Sequence, residues 1–257
     1  MTLTATQLDA FAQTGALTVR GAVPPSLTSP AIGLITDWYC NDLQPDQIAE
    51  YTHRTFAAHL GDHQALLALF HDSGAVDLAT ELLGDIAPVT TAQIQVRIPA
   101  AAAPHQPVKA MHVDGVACPH LDPAELRTFS LLVGVLLSDI TDPDGGAMHY
   151  QPSGHRLMAA WFRNEWNRGV TAQTPPHIDT QRGTPLLGHV GDLHLQHHLV
   201  PHAVGTNTTD TPRLMAYFRV SHPDHAERRL DALRDPWLDY PPITARAGAR
   251  PPRRTPS

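Results

Sequence analysis

Two cysteines, Cys40 and Cys118, are all that the 257 residues contain. No disulfide framework or thiolate cluster can be built from them, and such sparse usage fits a reducing compartment. Lysine is scarcer still, since Lys109 is the only one. The 18 basic residues are outnumbered by 25 acidic ones, for a net charge of −7. Neutralising a run of phosphates needs a cationic excess, so no nucleic-acid partner is expected. Long apolar runs are missing too. The most apolar stretch, 131–137, is far too short to span a bilayer, so no membrane partner is expected. The opening MTLTATQLDAFAQTG has no basic segment followed by an apolar run. No secretory signal is therefore expected, and the chain reads as cytoplasmic. Neither G-x-G-x-x-G nor a P-loop occurs, which removes two common nucleotide cradles.

Hydrophobic residues make up 42% of the chain and charged residues 17%, enough apolar surface to exclude a disordered polymer. The first third reads as helical. Thr4 can cap a helix carrying Leu8 and Phe11, with Gly15 near its end. Leu17–Arg20 alternates as a short strand. Ser29-Pro30 reads as a cap followed by proline at the first helical position. Further helices are predicted from Pro45, over His63–His71 after an Asp62 cap, and over Ala75–Leu83 before Gly84.

From about Val89 the period becomes two. Ala92–Ile98 alternates, Thr128–Asp139 is a long strand candidate, and Asp142-Pro-Asp-Gly-Gly146 is a turn. Strands are also predicted over Ala147–Gln151, His189–Gln196, His198–Val204 and Arg213–Val220. Trp161–Gly183 reads as an insertion or lid. Helices first and then many short strands predict an antiparallel barrel or jelly roll behind a helical layer. A single domain is expected over 1–240, with the helical layer in 1–88 and the β core in about 89–222. The tail 241–257 is expected to be disordered.

Histidine is abundant, at 17 residues. His112-Val-Asp114 is the sharpest local feature. In an extended segment, residues two apart face the same side, so an imidazole and a carboxylate converge. With so many histidines the spacing is weak by itself. His202, near the end of a strand 88 residues on, is the best third ligand, with His197 and His198 as alternatives. Arg213 follows eleven residues later across a short turn. Two histidines and a carboxylate that leave coordination positions open make the facial arrangement of non-haem Fe(II) oxygenases. A guanidinium nearby suits a carboxylate, which it binds through paired hydrogen bonds. His149 and His155 face either substrate or ordinary packing, and His189 and His194 are expected on the sheet surface.

Five segments, in order, resemble the phytanoyl-CoA dioxygenase family of Fe(II)/2-oxoglutarate oxygenases, which includes ectoine hydroxylase-like enzymes. They are LTATQLDAFAQTGALTVRGAVP, QIQVRIP, MHVDG, VGVLLSDITDPDGGAMHYQPSGHR and GDLHLQHHLVPHAVGTNTTDTPRLMAYFRV, spread over residues 5–220. The resemblance implies a double-stranded β-helix (jelly-roll, cupin-like) core packed against N-terminal helices. It implies His112, Asp114 and His202 as iron ligands and catalytic centre, and Arg213 as the clamp for 2-oxoglutarate. Gln95 falls where some relatives contact the co-substrate, and Arg97 faces the same side. Fe(II), 2-oxoglutarate and O2 would be the cofactors and co-substrates, with a small molecule hydroxylated or otherwise oxidised at an unactivated C–H bond. Val204 stands where several relatives carry a serine, and Pro152-Ser-Gly-His155 inverts the usual glycine–serine pair. Because Asp114 is present, hydroxylation, desaturation or ring formation is expected rather than halogenation. Two other classes use the same residues: a zinc-type metallohydrolase, and a non-catalytic jelly-roll binding protein.

Overall fold

A computed structural model describes residues 1–52, 55–115, 127–164 and 183–249. Its β core consists of two antiparallel sheets. The larger has five strands in the order β1 (Ala16–Val19), β6 (Leu193–His197), β3 (Leu131–Leu136), β8 (Arg213–Val220) and β2 (Gln93–Arg97). The smaller has β5 (Thr184–Pro185), β4 (Met148–Tyr150) and β7 (His202–Val204). A bridge between His112 and His202 extends the small sheet by one more segment. The sheets face each other as a jelly roll and do not close into a barrel.

Strand β3, Leu-Leu-Val-Gly-Val-Leu, is buried at every position. Both of its faces are covered, which explains a continuous apolar run in an antiparallel sheet. On one face, Val133 and Val135 join Ile94, Leu195 and Phe218 in the core shared with the helices. On the other, Leu132 and Leu136 meet Met148, Leu186, Met215 and Tyr217 between the two sheets. Each fully buried aliphatic or aromatic side chain contributes about 1.5–3 kcal/mol.

The helical layer comprises α1 (Ala5–Thr14), α2 (Pro25–Asn41), α3 (Gln64–His71) and α4 (Ala75–Leu83). Helix α1 opens on a capping box: Thr4 Oγ1 accepts from Gln7 N at 3.2 Å, and Gln7 Oε1 accepts from Thr4 N at 2.8 Å. It stops at Gly15, whose φ of 78° suits glycine. Three expectations shift. Helix α2 begins at Pro25 rather than Pro30, which lies inside it. Pro30 removes one N–H from the ladder, and burial of Ala31, Ile35 and Trp38 offsets that loss. His63, not Asp62, caps α3, accepting from Ala65 N at 3.1 Å. Residues 45–52 form a 3₁₀ helix.

Strand β1 belongs to the large sheet, so the segment 1–88 is not purely helical. The expected strand bounds also move: 128–139 contracts to 131–136, 189–196 shifts to 193–197, and 198–204 contracts to 202–204 because 198–200 turn. Three further helices follow: α5 (Gly154–Asn164), α6 (His225–Ala232) and α7 (Pro241–Ala249). Helix α7 corrects the expectation of disorder for 241–249, since Ile243 is buried in the main core. Trp161, expected in a lid, packs in α5 against Met158 and Phe162. The remainder of that insertion, 165–182, and the end of the tail, 250–257, lie outside the described residues, as do Cys118 and Trp166. No described helix is long and apolar enough to cross a membrane.

Candidate metal and co-substrate site

Packing determines where the His-x-Asp segment points. Met111 and Val113 are buried in a small apolar cluster with Met158, Phe162 and Leu199. Alternation then turns His112 and Asp114 to the opposite side. Gly115 follows with φ 72°, and a Cβ there would lie 2.3 Å from the Arg127 carbonyl oxygen, so the motif must end in glycine. The bridge to β7 brings His202 alongside: His112 N donates to His202 O, and His202 N to His112 O, both at 2.9 Å.

Ligand atoms of His112, Asp114 and His202 all lie within 4.8 Å of one another. Asp114 Oδ1 is 3.4 Å from His112 Nε2 and 3.9 Å from His202 Nε2. His112 Nδ1 donates to the Ala110 carbonyl at 2.9 Å, which leaves the Nε2 lone pair facing its partners. His202 Nδ1 lies 3.1 Å from the Val200 carbonyl. Burial lowers the His202 pKa to about 4 against the pull of Asp114, so the ring is neutral, the charge state that a metal ligand needs. Burial raises the Asp114 pKa, but its contacts with His112 and with the Arg219 charge outweigh it and keep the carboxylate ionised. Arg219 Nη2 holds the other carboxylate oxygen, Oδ2, at 3.1 Å, which turns Oδ1 toward the imidazoles. The Arg219 guanidinium also lies 5.1 Å from the centroid of the Phe129 ring.

Arg213 is 3% exposed. Its Nε donates to the Gly146 carbonyl at 2.9 Å. Its Nη1 is buried and has no hydrogen-bond partner among the described residues. Burial lowers the pKa of this guanidinium, with Tyr217 opposing. The turn predicted at 142–146 positions it. Gly146 has φ 75°, and a Cβ there would be 2.7 Å from Arg97 Cγ. Arg97 is the register partner of Arg213, and burial lowers its pKa to about 10, with Arg213 adding to the effect. Two of its donors are engaged, Nε to Gly205 O and Nη1 to Pro107 O, both at 2.8 Å. Arg97 thus ties down the loops on either side of the site. Gln95 is half-buried on the same face of β2, opposite Met215. Val204 packs against the cluster between the sheets.

The alternative histidines lie elsewhere. His197 donates from Nε2 to the Pro236 carbonyl and stacks on Tyr240. His198 is buried against His197, with neither ring nitrogen partnered among the described residues. His155 packs on His197 and Trp237. His194 overturns its surface assignment: it is fully buried, because it points from β6 into the space between the sheets, where Tyr150 packs on its ring. Arg219, Tyr217 and Gln196 were not singled out from sequence. The alternation of β8 placed Arg219 and Tyr217 on the face of Arg213, a usable signal. Gln196 carried none.

The donor set and the unpartnered buried cation fit Fe(II) and a dicarboxylate. The sequence matches the phytanoyl-CoA dioxygenase (PhyH) family over residues 11–215. The chain belongs to this family. As a PhyH-family protein it is a non-haem enzyme dependent on Fe(II) and 2-oxoglutarate, with O2 as co-substrate. Solved structures share the fold. HygX from Streptomyces hygroscopicus, with nickel and 2-oxoglutarate bound, is 19% identical over 86% of this chain and 88% of its own, with a TM-score of 0.58. SnoN, a non-haem α-ketoglutarate-dependent epimerase from nogalamycin biosynthesis, is 17% identical over 83% and 82%, at 0.60. The carbocyclase SnoK from the same biosynthesis is 15% identical over 88% and 90%, at 0.51. No curated protein matches the sequence.

Proposed function

We propose that this PhyH-family enzyme oxidises an unactivated C–H bond of a small molecule, with hydroxylation as the simplest outcome. His112, Asp114 and His202 hold Fe(II), and Arg213 binds the distal carboxylate of 2-oxoglutarate. Gln95 lines the same face as a secondary contact, and Arg97 supports Arg213 by adding positive potential. The observation that carries this reading is the Arg213 guanidinium, buried on the inner face of β8 with Nη1 unpartnered. A buried cation without an anion is costly, and a bound carboxylate removes the cost. A zinc-type hydrolase has no use for it.

When bound, Fe(II) supplies the redox and O2 chemistry. The chain's residues orient and enclose. Arg219 keeps Asp114 ionised and turned so that one oxygen faces the metal position. The apolar side chains of Met148, Leu186 and Met215 exclude water from the space between the sheets. The substrate is an amino acid or specialised metabolite in a cytoplasmic biosynthetic step; the SnoN and SnoK likenesses, both from nogalamycin biosynthesis, support the second class.

The test is mass spectrometry of a small-molecule panel incubated anaerobically with enzyme, Fe(II) and 2-oxoglutarate, then exposed to O2. A product gaining one oxygen atom, or losing two hydrogens, together with succinate, is expected. Hydrolysis with Zn(II) in the absence of O2 would overturn the reading.

A further inference from the structure

Three side chains form a line behind His202, away from the metal position. The Gln196 amide nitrogen lies 3.1 Å from His202 Nδ1. Its amide oxygen lies 3.3 Å from His194 Nε2. Thr18 Oγ1, on β1, lies 3.3 Å from His194 Nδ1. Gln196 and His194 are fully buried, so these contacts have no water to replace them.

The arrangement contains a conflict at one atom. His202 Nδ1 faces an amide N–H, which needs a lone pair there. It also faces the Val200 carbonyl at 3.1 Å, which needs a proton there. A neutral ring satisfies only one of them. The Gln196 amide nitrogen also donates to the Val200 carbonyl at 3.5 Å; if it donates to Nδ1 as well, the ring proton must sit on Nε2, toward Asp114. That tautomer cannot ligate a metal through Nε2.

A metal on His202 Nε2 forces the proton to Nδ1. The amide N–H then opposes another N–H, and the amide must turn over. Its oxygen accepts from His202 Nδ1–H, a proton shared with the Val200 carbonyl that replaces the long bond the amide gave that carbonyl. Its NH2 group faces His194 Nε2, which must carry the lone pair. The His194 proton moves to Nδ1 and donates to Thr18 Oγ1. Each ring keeps one proton, so no net proton is gained or lost by either.

We infer that metal binding reverses a buried hydrogen-bond chain, His202–Gln196–His194–Thr18, and that Gln196 is a positioning residue for the metal-ligating tautomer of His202. The inference rests on the assignment of His202 as a ligand. It gives β1 a part in the site: Thr18 is the acceptor that ends the chain, and Tyr150 packs on His194 from the small sheet at 5.3 Å.

The test uses Zn(II), measured by chelator competition, on the wild-type chain and on His202→Ala, Gln196→Leu and Gln196→Glu. His202→Ala should lose high-affinity binding; if it binds as the wild type does, the ligand assignment itself is wrong. Gln196→Leu should weaken binding by roughly 10–100-fold, as loss of such a partner typically does. Gln196→Glu keeps an acceptor for Nδ1–H and should hold affinity at or above the wild-type level. Loss in His202→Ala with no change in Gln196→Leu would overturn the inference alone. Long-range 15N–1H NMR of the Zn(II)-loaded wild-type protein reads the tautomers without any substitution at Gln196. Both His202 and His194 should carry the proton on Nδ1. A proton on His194 Nε2 in the loaded protein would also overturn the inference.

Discussion

Replacing Arg213 by alanine separates co-substrate binding from metal binding. Breaking a fully buried ion pair by deleting one partner costs about 3–5 kcal/mol. At about 1.4 kcal/mol per tenfold change, that corresponds to roughly 100- to 4,000-fold weaker 2-oxoglutarate binding. Two features of the structure favour the lower end. Arg97, the register partner of Arg213, leaves positive charge beside the vacated position. The deleted side chain is long enough for water to enter and solvate the carboxylate. A rise of about 100- to 300-fold in the dissociation constant is therefore expected. Arg213→Lys should fall between, keeping the charge but losing the paired geometry. The ligand-free Arg213→Ala protein should unfold no more easily than the wild type, because the substitution removes a buried, incompletely paired cation at the cost of one hydrogen bond to Gly146. The assays are titration of 2-oxoglutarate into metal-loaded enzyme, separate titration of the metal, and thermal unfolding. An alanine variant with unchanged 2-oxoglutarate affinity would refute the clamp, and one with lost metal affinity would refute the separation of the two functions.

Asp114→Ala should abolish turnover and greatly weaken Fe(II) binding, as measured by metal titration and succinate release, because two imidazoles alone provide no anionic donor. His198→Ala, by contrast, should retain most metal binding, since His198 packs against His197 and Phe129 instead of facing His112. Gly134→Ala should destabilise the fold by about 1–3 kcal/mol in urea unfolding, the usual range for overpacking; a Cβ there would sit 2.7 Å from Tyr217 Cε1. Acid should destabilise the metal-free protein. Burial lowers the pKa values of His155, His194 and His197 to about 2, 4 and 4, whereas in the unfolded chain they titrate near about 6.5. The unfolded state takes up these protons first, so stability is full above that value and is lost as pH falls. Urea titrations at about pH 7.5 and about pH 5.5 should differ by about 4 kcal/mol from these three rings, a little over 1 kcal/mol each, and by more because burial lowers the pKa values of His202 and His198 as well; no difference would mean that the rings are protonated in the folded state.

Local rules located much of the fold. Helix α4 and strand β8 have the bounds predicted from Gly84 and from the alternation after Pro212. The His112–Asp114 pair was legible because residues two apart share a face wherever the chain is extended. His202 was harder to read, since three histidines lie within six residues. The choice depends on the turn after His197, where Val200 N donates to His197 O, and on the bridge to His112. Neither contact has a local signature. Pro30 misled because proline at a helix start and proline just inside one look alike without the packing of Ala31 and Ile35. His194 misled for a related reason: its face of β6 is covered by the other sheet, whose Tyr150 packs on the ring, and that packing has no local signature. Gln196 and Arg219 act through side chains brought in from distant strands, and long-range register is not written in composition or period.

The most direct test is succinate release from 2-oxoglutarate by protein reconstituted anaerobically with Fe(II) and then exposed to O2, with His202→Ala and His198→Ala alongside. Release that requires Fe(II) and O2, vanishes in His202→Ala and persists in His198→Ala is the expected result. Release that ignores Fe(II), or that survives in His202→Ala, would contradict an Fe(II)/2-oxoglutarate centre built on His112, Asp114 and His202.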